Sequence, residues 1–382
     1  MARRETLAPL AVAREAPALE RVTGLEHVER LGGAWRELEA SLPDRTVFGS
    51  FDYARAWYRW YGAERGAPLV AAVWSGGSLV ALAPYALWSA SLGKVPVRRA
   101  DLVGHTCEAG EILVPPDSPE LVELLLDAVC RNGDADVVCM SGFVPDSPKL
   151  AAVLDAARRR GWSAECVPYR YATVDLRGGY EAYRDSMSHN FRRNVKRLEH
   201  RVASVGSHLD RISGPVEPGQ VEEYVRRMVS VADRSWKARQ DGPMAPQHRG
   251  FYRELALQFS GRGMLDLAIL KIGGVDAAFL LALVEGGTYY DATISFDDEF
   301  KEYSPGTHLM YRLLRVLPES GVHTVVSHGA HYYKTRWASA FVPLVRVFLF
   351  SPGPMGRLSR LTRFSAPRAW SRLRGRGPSS QP

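Results

Sequence analysis

Apolar residues recur along the chain in short runs separated by glycine pairs, a pattern that predicts strands joined by tight turns. The clearest case is the uncharged stretch from Gly66 to Gly93. It is long enough to span a bilayer. However, Gly76 and Gly77 interrupt it and Pro84 follows. We therefore predict a β-hairpin with a Gly-Gly turn rather than a membrane helix.

The same pattern occurs a second time. Segment 271–280 (KIGGVDAAFL) repeats the order of segment 74–83 (WSGGSLVALA), with an apolar run on each side of a Gly-Gly pair. Later in each half, a helical pattern ends at a glycine, Gly133 or Gly321, and a buried strand follows. Two copies of one strand, hairpin, helix and strand unit account for the length of the chain.

A helix is predicted between the two copies. Segment 180–205 contains no internal Gly or Pro and places Phe191, Leu198 and Val202 at helical spacing. Arg192 and Arg193 begin a basic run on it, which is either a solvated helix face or a surface beside an anionic ligand.

Composition and charge limit the classes of function. With 382 residues, 46% hydrophobic and 24% charged, most of the chain is globular. The formal net charge is +7, yet residues 351–382 hold seven arginines and no acid, so the body is neutral and nucleic acid is an unlikely partner. The expected regions are a flexible N-terminus (1–17), an N-terminal domain (18–178), a connecting basic helix (179–206), a C-terminal domain (207–350) and a disordered Arg-rich tail (351–382).

The expected location is the cytoplasm. The four cysteines form no Cys-x-x-Cys pair, which favours reduced thiols and argues against structural zinc. The N-terminus has early arginines but no apolar core of a signal peptide. Basic and aromatic residues interleave in the tail, so a weak peripheral contact with the inner membrane face is an alternative.

The second copy holds most of the candidate chemistry. Segment 287–296 (GTYYDATISF) predicts a strand with Asp291 in its interior, beside Tyr290. Aspartate is depleted there, so Asp291 is either a satisfied structural carboxylate or a base or orienting group in a cleft. Ser304, Gly306 and Thr307 then begin a helix whose bare first-turn amides form an anion site.

Segment 327–337 (SHGAHYYKTRW) follows a buried strand. A metal site built from His323, His328 and His331 lacks a nearby Cys or carboxylate ligand. Ser327 lacks the GxSxG context of a hydrolase nucleophile. The segment fits best as a strand end that offers His, Tyr and Lys to a charged ligand, and we expect no metal.

The motifs FRRNVKRLE, DRSWK, FYRELAL, YYDATISFDDEFKEYSPG and a strand ending in HG with YK downstream resemble the CelD/BcsL group of the GNAT acyltransferase superfamily over about 180–345. The group is similar in architecture to the Fem-type aminoacyl transferases, which carry two GNAT-like domains in tandem. The resemblance implies an α+β fold in which each domain is a mixed, mainly antiparallel sheet flanked by helices.

The resemblance also implies a reaction: transfer of an acyl group from acyl-CoA, most often acetyl-CoA, to an amine or hydroxyl of a small molecule, a sugar or an envelope precursor. Alternatives are a Fem-type transferase using aminoacyl-tRNA and a non-catalytic GNAT-like binding protein. The resemblance assigns Ser304, Gly306, Thr307, Lys334 and Tyr333 to the donor and Arg192 and Arg193 to the substrate. The further candidates are Asp291, His328 and Tyr290 for catalysis and Trp236 and His331 for the substrate.

Overall fold

The structure is a computed structural model and describes residues 16–43, 45–104, 110–131, 133–236, 244–329 and 332–365. The elements of the first half are β1 (Ala18–Thr23), α1 (Leu25–Arg30), α2 (Gly32–Ser41), α3 (Phe51–Arg65), β2 (Ala67–Ser75), β3 (Ser78–Leu92), β4 (Val95–Leu102), α4 (Leu121–Cys130), β5 (Val137–Phe143), α5 (Pro148–Arg159) and β6 (Ser163–Asp175).

The second half repeats this order behind two additional helices and ends with a short one. Its elements are α6 (Gly179–Ser186), α7 (His189–Ala203), β7 (Ser207–Ser213), α8 (Pro218–Asp233), α9 (Arg249–Gly261), β8 (Leu265–Ile272), β9 (Val275–Glu285), β10 (Thr288–Phe296), α10 (Pro305–Val316), β11 (Thr324–Ser327), β12 (Ala340–Phe350) and α11 (Pro354–Arg360).

Within the described residues, the strands form one 12-stranded sheet in the order β1-β2-β3-β4-β5-β12-β6-β11-β10-β9-β8-β7. The order is the same from either edge, so the predicted duplication is confirmed. The last strand of each half pairs with the other half: β12 lies beside β5, and β6 lies beside β11. The pairs β4/β5 and β10/β11 are parallel, and the other neighbours are antiparallel. The sheet is therefore mixed and mainly antiparallel, as expected.

The two Gly-Gly hairpins have the same turn. Gly76 and Gly77 have φ of 56° and 77°, and Gly273 and Gly274 have φ of 59° and 83°. A two-residue hairpin turn with positive φ at both central positions matches the twist of the flanking strands, and glycine adopts it without strain. The prediction of paired hairpins is confirmed.

Helices cover both faces of the sheet. One face carries α4 and α5 over the first half and α6, α7 and α10 over the second. On the opposite face, helices of both halves share one core in which Phe51 and Phe251 are buried. We call this the shared face. Arg59 of α3 also pairs with Glu254 of α9 at 3.1 Å, so side chains on this face join the two halves.

The connecting segment is two helices rather than the single one predicted. The chain breaks between α6 and α7 at Met187, whose backbone is extended. Ser188 then caps α7, because its hydroxyl accepts the N–H of Phe191 at 3.2 Å. Serine at this position supplies an acceptor for a first-turn amide and favours a new helix start.

The expectation of disorder from residue 351 onward is wrong for residues 354–365. After α11, Phe364 packs against Phe348 and Phe350 of β12, with ring centroids 5.4 and 5.8 Å apart. Arg360 pairs with Glu165 of β6 at 2.9 Å. The rest of the expected tail and most of the expected flexible N-terminus lie outside the described residues. No helix in the described ranges is long and apolar enough to cross a membrane.

Candidate functional site

The parallel pair β10 and β11 opens at one end. Pairing begins at Thr288 with Thr324 and ends at Asp291 with Ser327, whereas β10 continues to Phe296. The register of β10 against β9 also shifts between Asp291 and Thr293. Such a bulge leaves one residue outside the ladder and bends the strand. Beyond Asp291 the two strands are therefore no longer joined by ladder hydrogen bonds.

Asp291 and Ser327 form a polar pair at this opening, where the Ser327 hydroxyl donates to the Asp291 carboxylate. In the first half, the parallel pair β4/β5 ends at Asp101 with Cys139, and Leu102 and Met140 pack in the apolar core under α4. Both halves therefore end this strand pair with a carboxylate, and in the second half it lies at the opening.

Lys334 is turned into the protein rather than toward solvent. Its side chain is 3% exposed, and its ammonium group donates to the backbone carbonyl of His328. This placement differs from the expected contact with a donor phosphate. Lys334 instead holds the backbone at the end of β11, beside the opening.

The imidazole of His328 lies on the shared face. It makes an edge contact with Phe48, centroid to centroid 5.1 Å, and a tilted contact with Tyr171 at 5.9 Å. Its two ring nitrogens are shielded from solvent and have no hydrogen-bond partner within the described part of the chain. Burial, with the Lys334 cation adding to it and Asp291 opposing it, lowers the pKa of His328 to about 4. The ring is neutral at neutral pH.

A cavity of about 980 Å³ lies at the start of α10, and we call it the α10 cavity. Ser304 and Thr307 line it, as expected, and α7 contributes Asn190, Asn194 and Arg197. The first-turn amides of a helix have no acceptor within the helix, and the Ser304 side chain makes no capping bond to them. These donors remain available to an anion.

Gly306 has a different role from the one expected. A side chain added there would meet Phe296 at 3.6 Å and Ile294 at 3.9 Å, both ordinary contacts. Its missing side chain therefore faces β10, and Gly306 is not among the residues that line the α10 cavity.

An ion pair between the buried Asp297 and the exposed Arg234 fixes the turn before α10. Asp297 is 1% exposed, accepts from Arg234 at 2.5 Å and accepts the backbone N–H of Glu299 at 3.0 Å. Arg234 also donates to the carbonyl of Asp276 at 2.9 Å. Sequence reasoning missed this pair, although both members lie in motifs that it singled out.

The basic residues expected at the substrate are arranged differently. Arg192 donates to the carbonyls of Asp185 and Met187, at 3.0 Å each, and so binds the end of α6. Arg193 is exposed and does not line either cavity described here, whereas Arg197, one turn later, lines the α10 cavity.

Three further residues were expected at the site. Trp236 is 44% exposed and does not line either cavity. His331 lies outside the described residues, as does the side chain of Tyr333. Arg336, which sequence reasoning did not select, lines the α10 cavity on the same side as Thr335.

A second cavity, of about 440 Å³, lies on the shared face and is called the shared-face cavity. Tyr290 and His328 of the second half line it, together with Glu111 and Lys149 of the first half. The two described cavities lie on opposite faces of the sheet. Sequence reasoning missed Glu111, which has no local motif.

Metal ligation has no support in the described ranges. No group of three or more His, Cys, Asp or Glu side chains there is arranged to hold a metal ion.

Comparisons with known proteins agree with the fold. Residues 189–335 match the family model of the Acetyltransferase (GNAT) domain. FemX is similar in structure, with a TM-score of 0.59, 11% identity and coverage of 89% of this chain and 99% of that one. L-PGS from Bacillus licheniformis has a TM-score of 0.53 and 13% identity, covering 86% of this chain and 96% of that one.

A third similar structure is the C-terminal domain (DUF2156) of a putative lysylphosphatidylglycerol synthetase from Agrobacterium fabrum. Its TM-score is 0.52 and its identity 16%, covering 88% of this chain and 96% of that one. At these identities the likeness shows the fold alone. A comparison with curated proteins finds no match.

Proposed function

We propose that this chain, whose residues 189–335 match a GNAT acetyltransferase domain, transfers an acyl group from acyl-CoA to an amine or hydroxyl of a small acceptor. The observation that carries the proposal is the combination of a free helix start in the α10 cavity with a polar opening between β10 and β11. The resemblance to the CelD/BcsL group supports acyl-CoA, and acetyl-CoA first, as the donor.

The donor's pyrophosphate would bind at the start of α10. The backbone N–H groups of Gly306 and Thr307 and the hydroxyls of Ser304 and Thr307 supply hydrogen-bond donors, and the helix dipole favours an anion there. Arg197 and Arg336 line the same cavity and add positive charge. The acidic residue that lines this cavity is Asp175, and its carboxylate is already paired with Arg177 at 2.5 Å.

The thioester would reach the opening from this position. The loop after Phe296 places the start of α10 at the same end of β10 as the opening. The bulge after Asp291 frees a backbone amide from the ladder, and an amide aimed at the thioester oxygen stabilises the charge that develops in the transition state. Asp291 and Ser327 border the same point.

The acceptor would attack from the shared face. His328 is neutral and its nitrogens have no hydrogen-bond partner among the described residues, so it is able to take the proton that the attacking nucleophile releases. Lys334 positions it through its carbonyl. Tyr290 lines the same cavity. The acyl–sulfur bond breaks, the new amide or ester bond forms, and the free thiol of CoA carries the proton away.

Thermal unfolding with acetyl-CoA tests the donor site. A ligand at a hundred times its Kd stabilises a protein by about 2.7 kcal/mol, so we expect a clear rise in Tm. Thr307→Glu places a negative charge at the helix start and should abolish the rise. Arg226→Glu, on the exposed surface of α8, is the control and should keep it. The absence of a shift with any acyl-CoA would remove the proposal.

The alternative donor is aminoacyl-tRNA, as in a Fem-type transferase. The observation that favours it is that Arg193, Lys196 and Arg197 are exposed on α7 and that Arg197 lines the α10 cavity. Salt-sensitive tRNA binding without an acyl-CoA shift would support this alternative. Binding of acyl-CoA without transfer to any acceptor would support a non-catalytic role.

A further inference from the structure

The last described helix, α11, presents an apolar ridge to solvent together with the turn that follows it. Met355, Leu358 and Leu361 are 38, 43 and 53% exposed. Their three-residue spacing places them along one side of the helix, over about 9 Å of its length. Apolar side chains exposed singly are normal, whereas a contiguous group of them indicates an interaction surface.

The ridge is fixed from behind. Gly356 and Ser359 are buried on the opposite side of α11, where Gly356 lies so close to the Ser351 carbonyl that no side chain would fit. Phe364 is buried against Phe348 of β12. A ridge held in this way is displayed before any partner arrives, so binding requires little further ordering of the chain.

Unpaired cations surround the ridge. Arg357 and Arg363 are exposed in the same segment. Lys94 is exposed in the turn between β3 and β4, which packs closely on this segment, since a side chain added at Gly93 would meet the backbone nitrogen of Arg363 at 2.8 Å. None of these three cations forms an ion pair with another described residue. The ridge therefore lies in a positively charged surround.

The rest of the chain adds charge of the same sign at this end. Residues 366–382 contain four arginines, a tryptophan and no acid. The seven arginines of residues 351–382 equal the formal net charge of +7, so residues 1–350 are neutral as a whole. An anionic partner is therefore attracted to this end of the molecule rather than to its body.

An anionic membrane surface matches both properties of the ridge. Its headgroups attract lysine and arginine, and the boundary between headgroups and acyl chains accepts apolar side chains. Nucleic acid matches the charge, but its bases stack on aromatic rings rather than on aliphatic side chains. A second copy that docked through the same face would bring like charges together.

We propose that this surface binds peripherally to a membrane that contains anionic phospholipids. We call it the α11 surface, and its residues are Met355, Leu358, Leu361, Arg357, Arg363 and Lys94. The three apolar side chains enter the boundary below the headgroups, and the three cations lie beside lipid phosphates. The inference goes beyond the proposed acyl transfer and is independent of it, because no residue of the α11 surface lines either described cavity.

Co-sedimentation of the full chain with lipid vesicles tests the proposal. Vesicles of equal parts phosphatidylcholine and phosphatidylglycerol are compared with vesicles of phosphatidylcholine alone. Each cation near an anionic surface strengthens binding about fivefold, so the mixed vesicles should bind at least about tenfold more tightly. Added salt should weaken this binding, because it screens exposed charges. Absence of binding to the mixed vesicles, or equal binding to both kinds, overturns the proposal.

A matched pair of variants assigns the apolar part of the contact. The double variant Leu358→Gln/Leu361→Gln should bind the mixed vesicles about tenfold more weakly, because two half-exposed leucines no longer leave water on binding. Val275→Gln, 46% exposed at the start of β9, should bind as the unmodified protein does. Unchanged binding in the leucine variant means that charge alone attracts the vesicles, and it overturns the proposal. Urea unfolding verifies that both variants fold.

A second pair assigns the cations. Arg357→Gln/Arg363→Gln should also bind the mixed vesicles about tenfold more weakly, whereas Arg226→Gln, exposed on α8, should not. Binding of tRNA that the arginine variant loses, without vesicle binding, identifies a nucleic-acid surface and overturns the proposal. A dimer that the leucine variant dissociates, again without vesicle binding, identifies an interface between copies and also overturns it. Acetyl-CoA binding is measured separately and has no bearing on either result.

Discussion

Lys334 and His328 show, at the scale of the residue, how an internal hydrogen bond changes the role of a side chain. The resemblance of the segment's YK motif to that of the CelD/BcsL group implied that Lys334 binds the donor. In the structure it is buried and holds the His328 carbonyl. A burial of this kind depends on contacts that form only when the whole sheet assembles, so a local pattern cannot predict it.

Replacing Lys334 by methionine should destabilise the protein. Methionine keeps much of the side-chain length but leaves the His328 carbonyl without its donor, and an unsatisfied buried group costs about 1–3 kcal/mol. Lys301→Met, at an exposed position before α10, should change the free energy of unfolding by less than about 0.5 kcal/mol. Urea unfolding measures both. Equal values for the two variants would contradict the role of Lys334.

The neutral imidazole of His328 predicts acid sensitivity. Its pKa is lowered by burial to about 4 from 6.5, so the unfolded state binds a proton at a higher pH than the folded state does. The free energy of unfolding should therefore fall as the pH drops from about 6.5 to about 4. His328→Gln should weaken this dependence, whereas His208→Gln, exposed on β7, should not. Urea unfolding at several pH values decides, and parallel curves for His328→Gln and the unmodified protein would contradict the account.

At the scale of the element, local patterns predicted the hairpins, the strand β10 and the helix α10. Glycine pairs, alternating apolar positions and a Ser-Pro start are short-range signals, and the structure confirms them. The sequence did not predict the break between α6 and α7, because Ser188 lies within a longer helical pattern. That break sets which face of α7 meets the cavity, so Arg197 lies where Arg192 and Arg193 were expected.

Ser304 stores backbone strain at the start of α10. Its φ is 48° and its ψ is 55°, a left-handed conformation that non-glycine residues adopt at a cost of about 1–2 kcal/mol. Ser304→Gly should raise Tm modestly, because glycine adopts this conformation freely, and should weaken acetyl-CoA binding, because the hydroxyl is lost. Ser304→Ala keeps the strain and serves as the control. A lower Tm for the glycine variant than for the alanine variant would contradict this reading of the backbone.

At the scale of the whole molecule, the exchange of β6 and β12 joins the two halves. The two strands pair with each other over their shared length, from Ala340 with Thr173 to Phe350 with Ser163. The sequence predicted two tandem units, but it could not predict the exchange, because nothing in a strand's own pattern selects a partner so far away in the chain. For the same reason the sequence did not predict Glu111 at this site. Glu111 lines one cavity with His328 and Tyr290 only once the whole sheet has assembled.

Phe364 should be important for stability, although it lies in a segment with the composition of a disordered tail. It is buried against Phe348 and Phe350 of the exchanged strand. Phe364→Ala should lower the free energy of unfolding by about 3–5 kcal/mol, the usual range for a buried phenylalanine. Leu361→Ala is the control, since Leu361 is 53% exposed and should have a small effect. Urea unfolding measures both variants. If Phe364→Ala lowers the free energy of unfolding by less than about 1 kcal/mol, the packing of this segment is contradicted.

The most direct test of the central claim is the mass gained by candidate amines after incubation with acetyl-CoA and the purified chain. The account predicts acetylated product from the unmodified protein. It predicts a fall of about tenfold or more for Asp291→Asn, because this variant removes the charge that stabilises protonated His328 beside the opening, and no change for the exposed control Glu299→Gln. Equal turnover in the Asp291 variant and the unmodified protein would contradict the claim that the opening between β10 and β11 is the place of acyl transfer.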